Sequence, residues 1–259
     1  MTADLDFALD DLEPADIDSE QAESLLWAGD LTVLAEHHTA PLRSHSYVVA
    51  HDTSVTWGVP GAPQVAAIKV ARDFGLGTFT LESEYHASVP FAQAWLIERG
   101  CPPEKIALAE GDFVEAADEQ TLRVQQMIRD GGQRYDVIDT WTWDDNPCEN
   151  WTLARDSAAA EKPVRVFLEV VDPATHTYTV REGAFPDEDT ARDWLEDRST
   201  PLPPAPEDHL AADALRASVA LARSTGHHAG SVTACGLDRI PAPAPSTASV
   251  QGPGPGRSL

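Results

Sequence analysis

The chain has 259 residues, of which 42% are hydrophobic and 24% charged, the balance of an ordinary globular protein. It carries 43 acidic residues against 18 basic ones, a formal net charge of -25. A surface so negative repels the phosphates of nucleic acids and of anionic membranes, which argues against both as partners. The N-terminus is acidic where a signal peptide would be basic, and no apolar run reaches the roughly 18 residues of a membrane-spanning helix. We therefore expect a cytoplasmic protein.

The N-terminal part of the chain predicts one helix followed by strands. Residues 1–18 are acidic with few apolar positions, which indicates disorder or a short docking helix. Ser19 can cap a helix over "EQAESLLWAG", which Gly29 ends. The segments "LTVLAE" and "SHSYVVAHDTSVTWGV" are rich in residues that favour strands.

From about residue 58 to residue 143, predicted helices and strands alternate. The predicted helices are "QVAAIKVARDFG", "VPFAQAWLIERG" and "EQTLRVQQMIRDGG". The predicted strands between and after them are "TFTLESE", "IALAEGD" and "YDVIDTWTW". Strands that alternate with helices of about 12 residues predict right-handed crossovers and a parallel sheet.

The C-terminal part predicts fewer crossovers. A helix-like segment, "WTLARDSAAAEK", precedes a hairpin that turns at Asp172 and Pro173, and Asp187 can cap a short helix after it. A proline-rich break, "STPLPPAPED", follows. We find no internal repeat.

These elements predict an α/β fold: a Rossmann-like, doubly wound, mostly parallel sheet with an antiparallel hairpin at one edge. Residues 1–29 would be an acidic extension with a short helix, and residues 30–199 the α/β domain. Residues 200–259 would form a proline-rich linker, one helix and a disordered tail.

Acidic residues end several of the predicted strands. Asp112 follows one strand and Asp139 lies at the end of the next, while Glu82 and Glu84 end an earlier strand. An acid at a strand end can simply face water, but in an open α/β sheet this edge is where ligands bind.

The stretch from Thr53 to Thr142 resembles the cofactor-binding half of the class I S-adenosylmethionine-dependent methyltransferases. The resemblance implies that Gly58 and Gly61 form the turn that approaches the cofactor. It also implies that Glu82 or Glu84 binds the ribose and that Asp112 lies beside the adenine. Asp139 would lie near the methyl acceptor.

Two further segments supply candidate side chains. Asp139 or a nearby histidine, such as His38, would remove the acceptor's proton. Four histidines lie between residues 37 and 51, but their spacing favours surface or loop positions over a metal site. Three cysteines without a Cys-x-x-Cys pair argue against a disulfide framework and a thiolate zinc site.

The segment "DTWTWDDNPCENW" places aromatic residues beside acids at a strand end. Trp141, Trp143 and Asp144 would suit a pocket for a cationic or aromatic substrate. The alternative is that the two tryptophans pack on one face of the strand under the following helix.

The first functional hypothesis is therefore methyl transfer from S-adenosylmethionine to an unidentified small-molecule or peptide acceptor. One alternative is a non-catalytic acidic interaction protein, either a nucleic-acid mimic or a regulatory partner-binding protein. The other is a Rossmann-like enzyme that uses a different nucleotide. The sequence indicates no oligomeric state.

Overall fold

The structure, a computed structural model, describes residues 7–206 apart from residues 41, 56–58, 60, 109–113 and 144–147, and residues 27 and 28 by their backbone alone. All the described residues belong to one compact unit, which ends at Pro206. Among them, no helix combines the length and the apolar character needed to cross a membrane.

The first half of the described chain forms a five-stranded sheet with two helices. In chain order its elements are β1 (Glu13–Pro14), α1 (Ile17–Ala28), β2 (Leu31–His38), β3 (His45–Asp52), β4 (Val65–Asp73), β5 (Thr78–His86) and α2 (Val89–Glu98). The strand order is β1-β5-β4-β3-β2. β1 is parallel to β5, and the other neighbouring strands are antiparallel.

The second half repeats this arrangement. Its elements are β6 (Glu115–Ala116), α3 (Glu119–Arg129), β7 (Tyr135–Trp143), β8 (Cys148–Asp156), β9 (Val164–Asp172), β10 (Thr177–Phe185) and α4 (Glu188–Glu196). The strand order is β6-β10-β9-β8-β7, and again the first strand is parallel to its neighbour while the rest are antiparallel. Short 3-10 helices lie at Pro103–Lys105 and Gly132–Arg134.

The prediction of a doubly wound, mostly parallel Rossmann-like sheet is wrong. The segments predicted as helices around residues 64–75 and 151–162 contain all of β4 and the last six residues of β8. In β4, Val65 and Ala67 pack on one face of the sheet, and Ala66 and Ile68 on the other. Because both faces are buried, the apolar run is continuous and lacks the alternation that identifies a strand. Without these crossover helices, successive strands are joined by short turns and run antiparallel.

The expectation that the chain contains no internal repeat is also wrong. Residues 65–99 match residues 164–198 element for element, without insertion or deletion. Few side chains are identical, although Trp95 and Trp194 are among them. The two halves of the described chain, which we call the first and second repeats, retain a common pattern of burial and hydrogen bonding. Residue identities alone do not reveal this pattern.

The helix starts show this retained pattern. Asp16 accepts a hydrogen bond from the Ser19 N–H (2.7 Å), and Asp118 accepts one from the Thr121 N–H (2.8 Å). These carboxylates cap α1 and α3, so Asp16 is the N-cap instead of the predicted Ser19. The Ser19 and Thr121 hydroxyls accept hydrogen bonds from edge N–H groups of β5 and β10 (3.1 and 3.2 Å).

In the part of the chain that the structure describes, the hydrophobic core forms four clusters, one on each face of each sheet. The first sheet packs against α2 on one face and against α1 on the other. The second sheet packs against α3 on one face and α4 on the other. Helix α2 also contributes Phe91 to the cluster under α3, where its ring meets Phe167 edge-on with centroids 5.4 Å apart. The two repeats therefore share α2 between their cores.

Candidate functional site

A groove of about 470 Å³ lies where the two repeats meet. We call it the inter-repeat groove. Its first-repeat wall comes from the end of β5 and from α2, and its second-repeat wall from the end of α3, the 3-10 helix at Gly132–Arg134 and the start of β7. Its lining residues are Glu84, His86, Phe91, Ala94, Trp95, Glu98, Arg99, Ile128, Gly132, Gln133, Tyr135, Asp136 and Val137.

The first-repeat wall follows from strand and helix periodicity. Glu84 and His86 are two residues apart on β5 and so point to the same face, toward α2. Trp95 and Arg99 are four residues apart and therefore neighbours on one side of α2. The Trp95 indole N–H donates to Glu84 Oε2 at 2.6 Å, and the Arg99 guanidinium stacks 3.6 Å above the Trp95 ring. These contacts hold the wall in one arrangement.

His86 is the unusual residue of the groove. Its side chain is buried, with the residue only 4% exposed, and burial followed by the nearby Arg99 charge lowers its pKa to about 4. The imidazole is therefore neutral at pH 7. Its Nε2 has no hydrogen-bond partner among the described residues and lies 3.9 Å from Glu84 Oε1, too far for a hydrogen bond. An unpartnered polar atom in a buried position costs free energy unless a ligand or water supplies the missing bond.

The groove carries an excess of negative charge. Glu84, Glu98 and Asp136 line it and are exposed. Arg99 also lines it, but its guanidinium already contacts Glu82 at 3.3 Å and the Trp95 ring. Glu84 Oε1 is an acceptor, and in the tautomer that carries its ring proton on Nδ1 the neutral His86 offers Nε2 as a second acceptor to a donor that enters between them. The arrangement suits a cationic group with several N–H donors.

Of the residues predicted to bind a cofactor, one lines the groove. Two others, Glu82 and Gly61, make different contacts. Glu84 lines the groove. Glu82, on the same face of β5, instead binds Lys69 Nζ at 2.9 Å, and this hydrogen bond lowers its pKa. Gly61 accepts a hydrogen bond from the Thr142 N–H (3.1 Å) and lies against the Trp141 ring. Gly58 and Asp112 lie outside the described residues.

The predicted catalytic and substrate residues make other contacts. Asp139 pairs with Arg192 of α4 at 2.7 Å. At the end of β2, His38 contacts Ser46 (2.8 Å) and Glu36 (3.3 Å), and burial followed by the Arg43 charge lowers its pKa. Trp143 ends β7 and is 42% exposed. Asp144 lies outside the described residues.

Neither the histidines nor the cysteines form a metal site in the part of the chain that is described. No group of three or more His, Cys, Asp or Glu side chains there is arranged to hold a metal ion. His37 and His45 flank Tyr47 as stacked rings, and His51 contacts Gln64 at 3.1 Å. Cys101 is buried, which raises the pKa of its thiol to about 12 and makes it a poor nucleophile at neutral pH.

Sequence reasoning missed His86, Trp95 and Arg99. The available signal was the Trp-x-x-x-Arg spacing of Trp95 and Arg99, which recurs at Trp194 and Arg198. In the second repeat the Arg198 guanidinium again lies over the Trp194 ring, at 5.6 Å. The pair is therefore a recurrent feature of this fold, whereas Glu84 and His86 belong to the first repeat alone.

S-adenosylmethionine binding and methyl transfer stay predictions. They were inferred from acids at the shared carboxyl edge of parallel strands, and the antiparallel order removes that shared edge. Comparison with protein-family models, with curated proteins and with solved structures gives no match.

Proposed function

We propose that this chain is a non-catalytic binding protein and that the inter-repeat groove receives a cationic group presented by a partner molecule. The observation that carries the proposal is the buried, neutral and unpartnered Nε2 of His86 beside the Glu84 carboxylate. Two acceptors side by side in an acidic groove are complementary to a guanidinium or ammonium group.

The protonation state of His86 supports binding over catalysis. A general base is most effective when its pKa lies near the working pH. With a pKa of about 4, His86 is a weak base at pH 7, but the neutral ring keeps one acceptor nitrogen, which is Nε2 when the proton is on Nδ1. Arg99 favours this neutral state, since it lowers the pKa further.

The charge of the whole chain supports the same conclusion. A formal charge of -25 attracts cationic partners over several ångströms and speeds their encounter. The short-range contacts in the groove would then select among them. A basic partner also agrees with the argument against nucleic acids and anionic membranes.

The test is calorimetric titration of the full chain with arginine methyl ester, with citrulline methyl ester as its uncharged analogue, and with S-adenosylmethionine. We expect only the arginine ester to bind. Glu84→Gln should weaken it about tenfold to a hundredfold, because a hydrogen bond to a charged group contributes roughly 1.5–3 kcal/mol. His86→Phe, which keeps a ring of similar size, should also weaken it.

Glu161→Gln is the matched control, because Glu161 is exposed in the turn between β8 and β9 and is not a groove residue. It removes the same charge and should leave the affinity unchanged. Equal weakening by Glu161→Gln would show that only the net charge matters. Binding of S-adenosylmethionine without binding of the arginine ester would overturn the proposal in favour of methyl transfer.

A further inference from the structure

The second repeat already holds an extended segment at the place equivalent to the groove. Residues 200–206, which we call the proline-rich strap, follow α4 and run along β10. The Ala184 N–H donates to the Pro203 carbonyl at 3.1 Å, and Gly183 pairs with Pro204 in an antiparallel bridge. The Trp194 indole N–H donates to the Thr200 carbonyl at 3.1 Å.

The strap places one side chain in a defined position. Leu202 packs directly over Gly183, where an added Cβ would lie 2.4 Å from Leu202 Cδ1. Leu202 also packs against the cluster that contains Phe185 and Trp194. Gly183 and Phe185 on β10 therefore form an apolar surface on which Leu202 packs.

Among the described residues, no segment of the first repeat takes the place of the strap. After α2 the chain turns at Gly100, whose φ of +99° suits glycine, and the Cys101 N–H returns to the Leu96 carbonyl at 3.0 Å. Further along, Gln93 Nε2 holds the Ile106 carbonyl at 2.7 Å. These two contacts hold residues 101–106 against α2.

At the position equivalent to the strap, the outer edge of β5 presents backbone N–H groups. Edge N–H groups alternate along a strand, and that of Leu81 points outward to Ser19 Oγ. The next outward groups belong to Ser83 and Tyr85, and Tyr85 is the equivalent of Ala184, which binds the strap. Among the described residues, no strand pairs with this part of β5 on that side.

We propose that the first repeat binds an extended, proline-containing segment of a partner protein, which carries an arginine where the strap carries Leu202. The inference rests on the proposed function and specifies the partner. The strap shows that this fold accepts such a segment by strand addition. Glu84 and His86 occupy the positions that Gly183 and Phe185 have in the second repeat. These residues therefore determine which side chain the bound segment carries at the position of Leu202.

Glu84 and His86, which replace Gly183 and Phe185, favour arginine in the bound segment. A guanidinium presents several N–H donors in a planar fork, and two of them can reach the two acceptors, Glu84 Oε1 and His86 Nε2, which are 3.9 Å apart. Leucine would leave both acceptors unpartnered and covered. Prolines in the segment lack an N–H and keep it extended before binding, so that less conformational entropy is lost.

The experiment titrates the full chain with two capped octapeptides. One has the sequence of residues 199–206, Ser-Thr-Pro-Leu-Pro-Pro-Ala-Pro, and the other has arginine in place of the leucine. We expect the arginine peptide to bind at least tenfold more tightly than the leucine peptide, and more tightly than arginine methyl ester. The Tyr85 amide should gain protection from hydrogen exchange when the arginine peptide binds.

The decisive variant is Glu84→Gly combined with His86→Phe, which installs the second repeat's residues. We expect it to reverse the preference in favour of the leucine peptide. The single change His86→Phe should narrow the preference, and it keeps the test informative if the double variant does not fold.

The outcomes separate the two proposals. If the arginine peptide binds no more tightly than arginine methyl ester, the extended-segment inference fails and the cationic site stands. If neither binds, both fail. Self-association of the chain that the arginine peptide reverses would identify a second copy as the occupant and would also overturn the inference.

Discussion

The buried charge network at the end of β8 allows a sharp test of the fold. The Asp156 side chain is fully buried and accepts hydrogen bonds from Arg134 (2.8 Å to each oxygen) and Arg165 (2.9 and 3.1 Å). It also accepts one from the Ala158 N–H at 3.0 Å. Asp156→Asn removes the negative charge and leaves two guanidinium groups around a neutral amide.

We expect Asp156→Asn to lower the free energy of unfolding by about 3–5 kcal/mol, since removing one partner of a buried ion pair leaves the other uncompensated. The value should fall near the lower end, because Arg165 keeps Glu182 at 3.4 Å. Asp139→Asn is the comparison. Asp139 and Arg192 are both 41% exposed, and such surface pairs contribute only about 0–1 kcal/mol.

Urea unfolding at pH 7, followed by circular dichroism, measures both differences. The acid dependence adds a second readout. Burial acts to raise the pKa of Asp156, but the hydrogen bonds from Arg134, the Ala158 N–H and Arg165 outweigh it and lower the pKa. The stabilisation is therefore complete above the unfolded pKa near 3.9 and is lost as the pH falls below it, so parent and Asp156→Asn should converge in acid. A loss below about 1 kcal/mol for Asp156→Asn at pH 7, or one equal to that of Asp139→Asn, would refute the reasoning.

Three further changes test other parts of the structure. Gly61→Ala should destabilise the fold by about 2–4 kcal/mol, because Gly61 has a φ of +85° and an added Cβ would lie 2.1 Å from the Trp141 ring; unchanged urea unfolding would contradict this contact. Gly183→Ala should destabilise by about 1–3 kcal/mol through its clash with Leu202, and a double-mutant cycle with Leu202→Ala should show coupling; additive effects would mean that the strap does not lie over Gly183. Burial raises the pKa of Glu169 from 4.5 to about 7, so its contribution to stability is full below pH 4.5 and is lost as the pH rises through 7. The gain in free energy of unfolding from Glu169→Gln should therefore be larger at pH 8 than at pH 5 by up to about 3 kcal/mol. Parallel pH profiles of parent and variant would contradict this.

Local signals in the sequence predicted several elements well. The alternation in "TFTLESE" identified β5, and the proline at the start and the glycine at the end of "VPFAQAWLIERG" identified α2. The turn at Asp172 and Pro173 was also found, because Asp172 bonds its own turn at the Ala174 N–H (2.9 Å).

The topology could not be predicted from the same signals. β4 was taken for a helix because both of its faces are buried, and β8 because its second half contains Leu153 and Ala154, which favour helices in isolation. Each wrongly predicted helix supplies an apparent crossover connection. Strands that are antiparallel in the structure were therefore predicted to be parallel. Strand direction is thus a non-local property that depends on every connection being identified.

The candidate site could be predicted only in part. Glu84 was selected as an acid at a strand end, and it does line the groove. His86 gave no signal, because a lone histidine acquires meaning only when its burial and its distance from Glu84 are known. Tyr135 and Asp136 are distant in sequence and reach the groove through the packing of one repeat on the other.

The shared position of α2 has a consequence for how the chain folds. Its Trp95 and Leu96 complete the core of the first sheet, while its Phe91 completes the core under α3. Neither half can be separated from the other without removing a core side chain from one of them. The two repeats are therefore a single cooperative folding unit, whose melting should be one transition, and neither half is an independent domain.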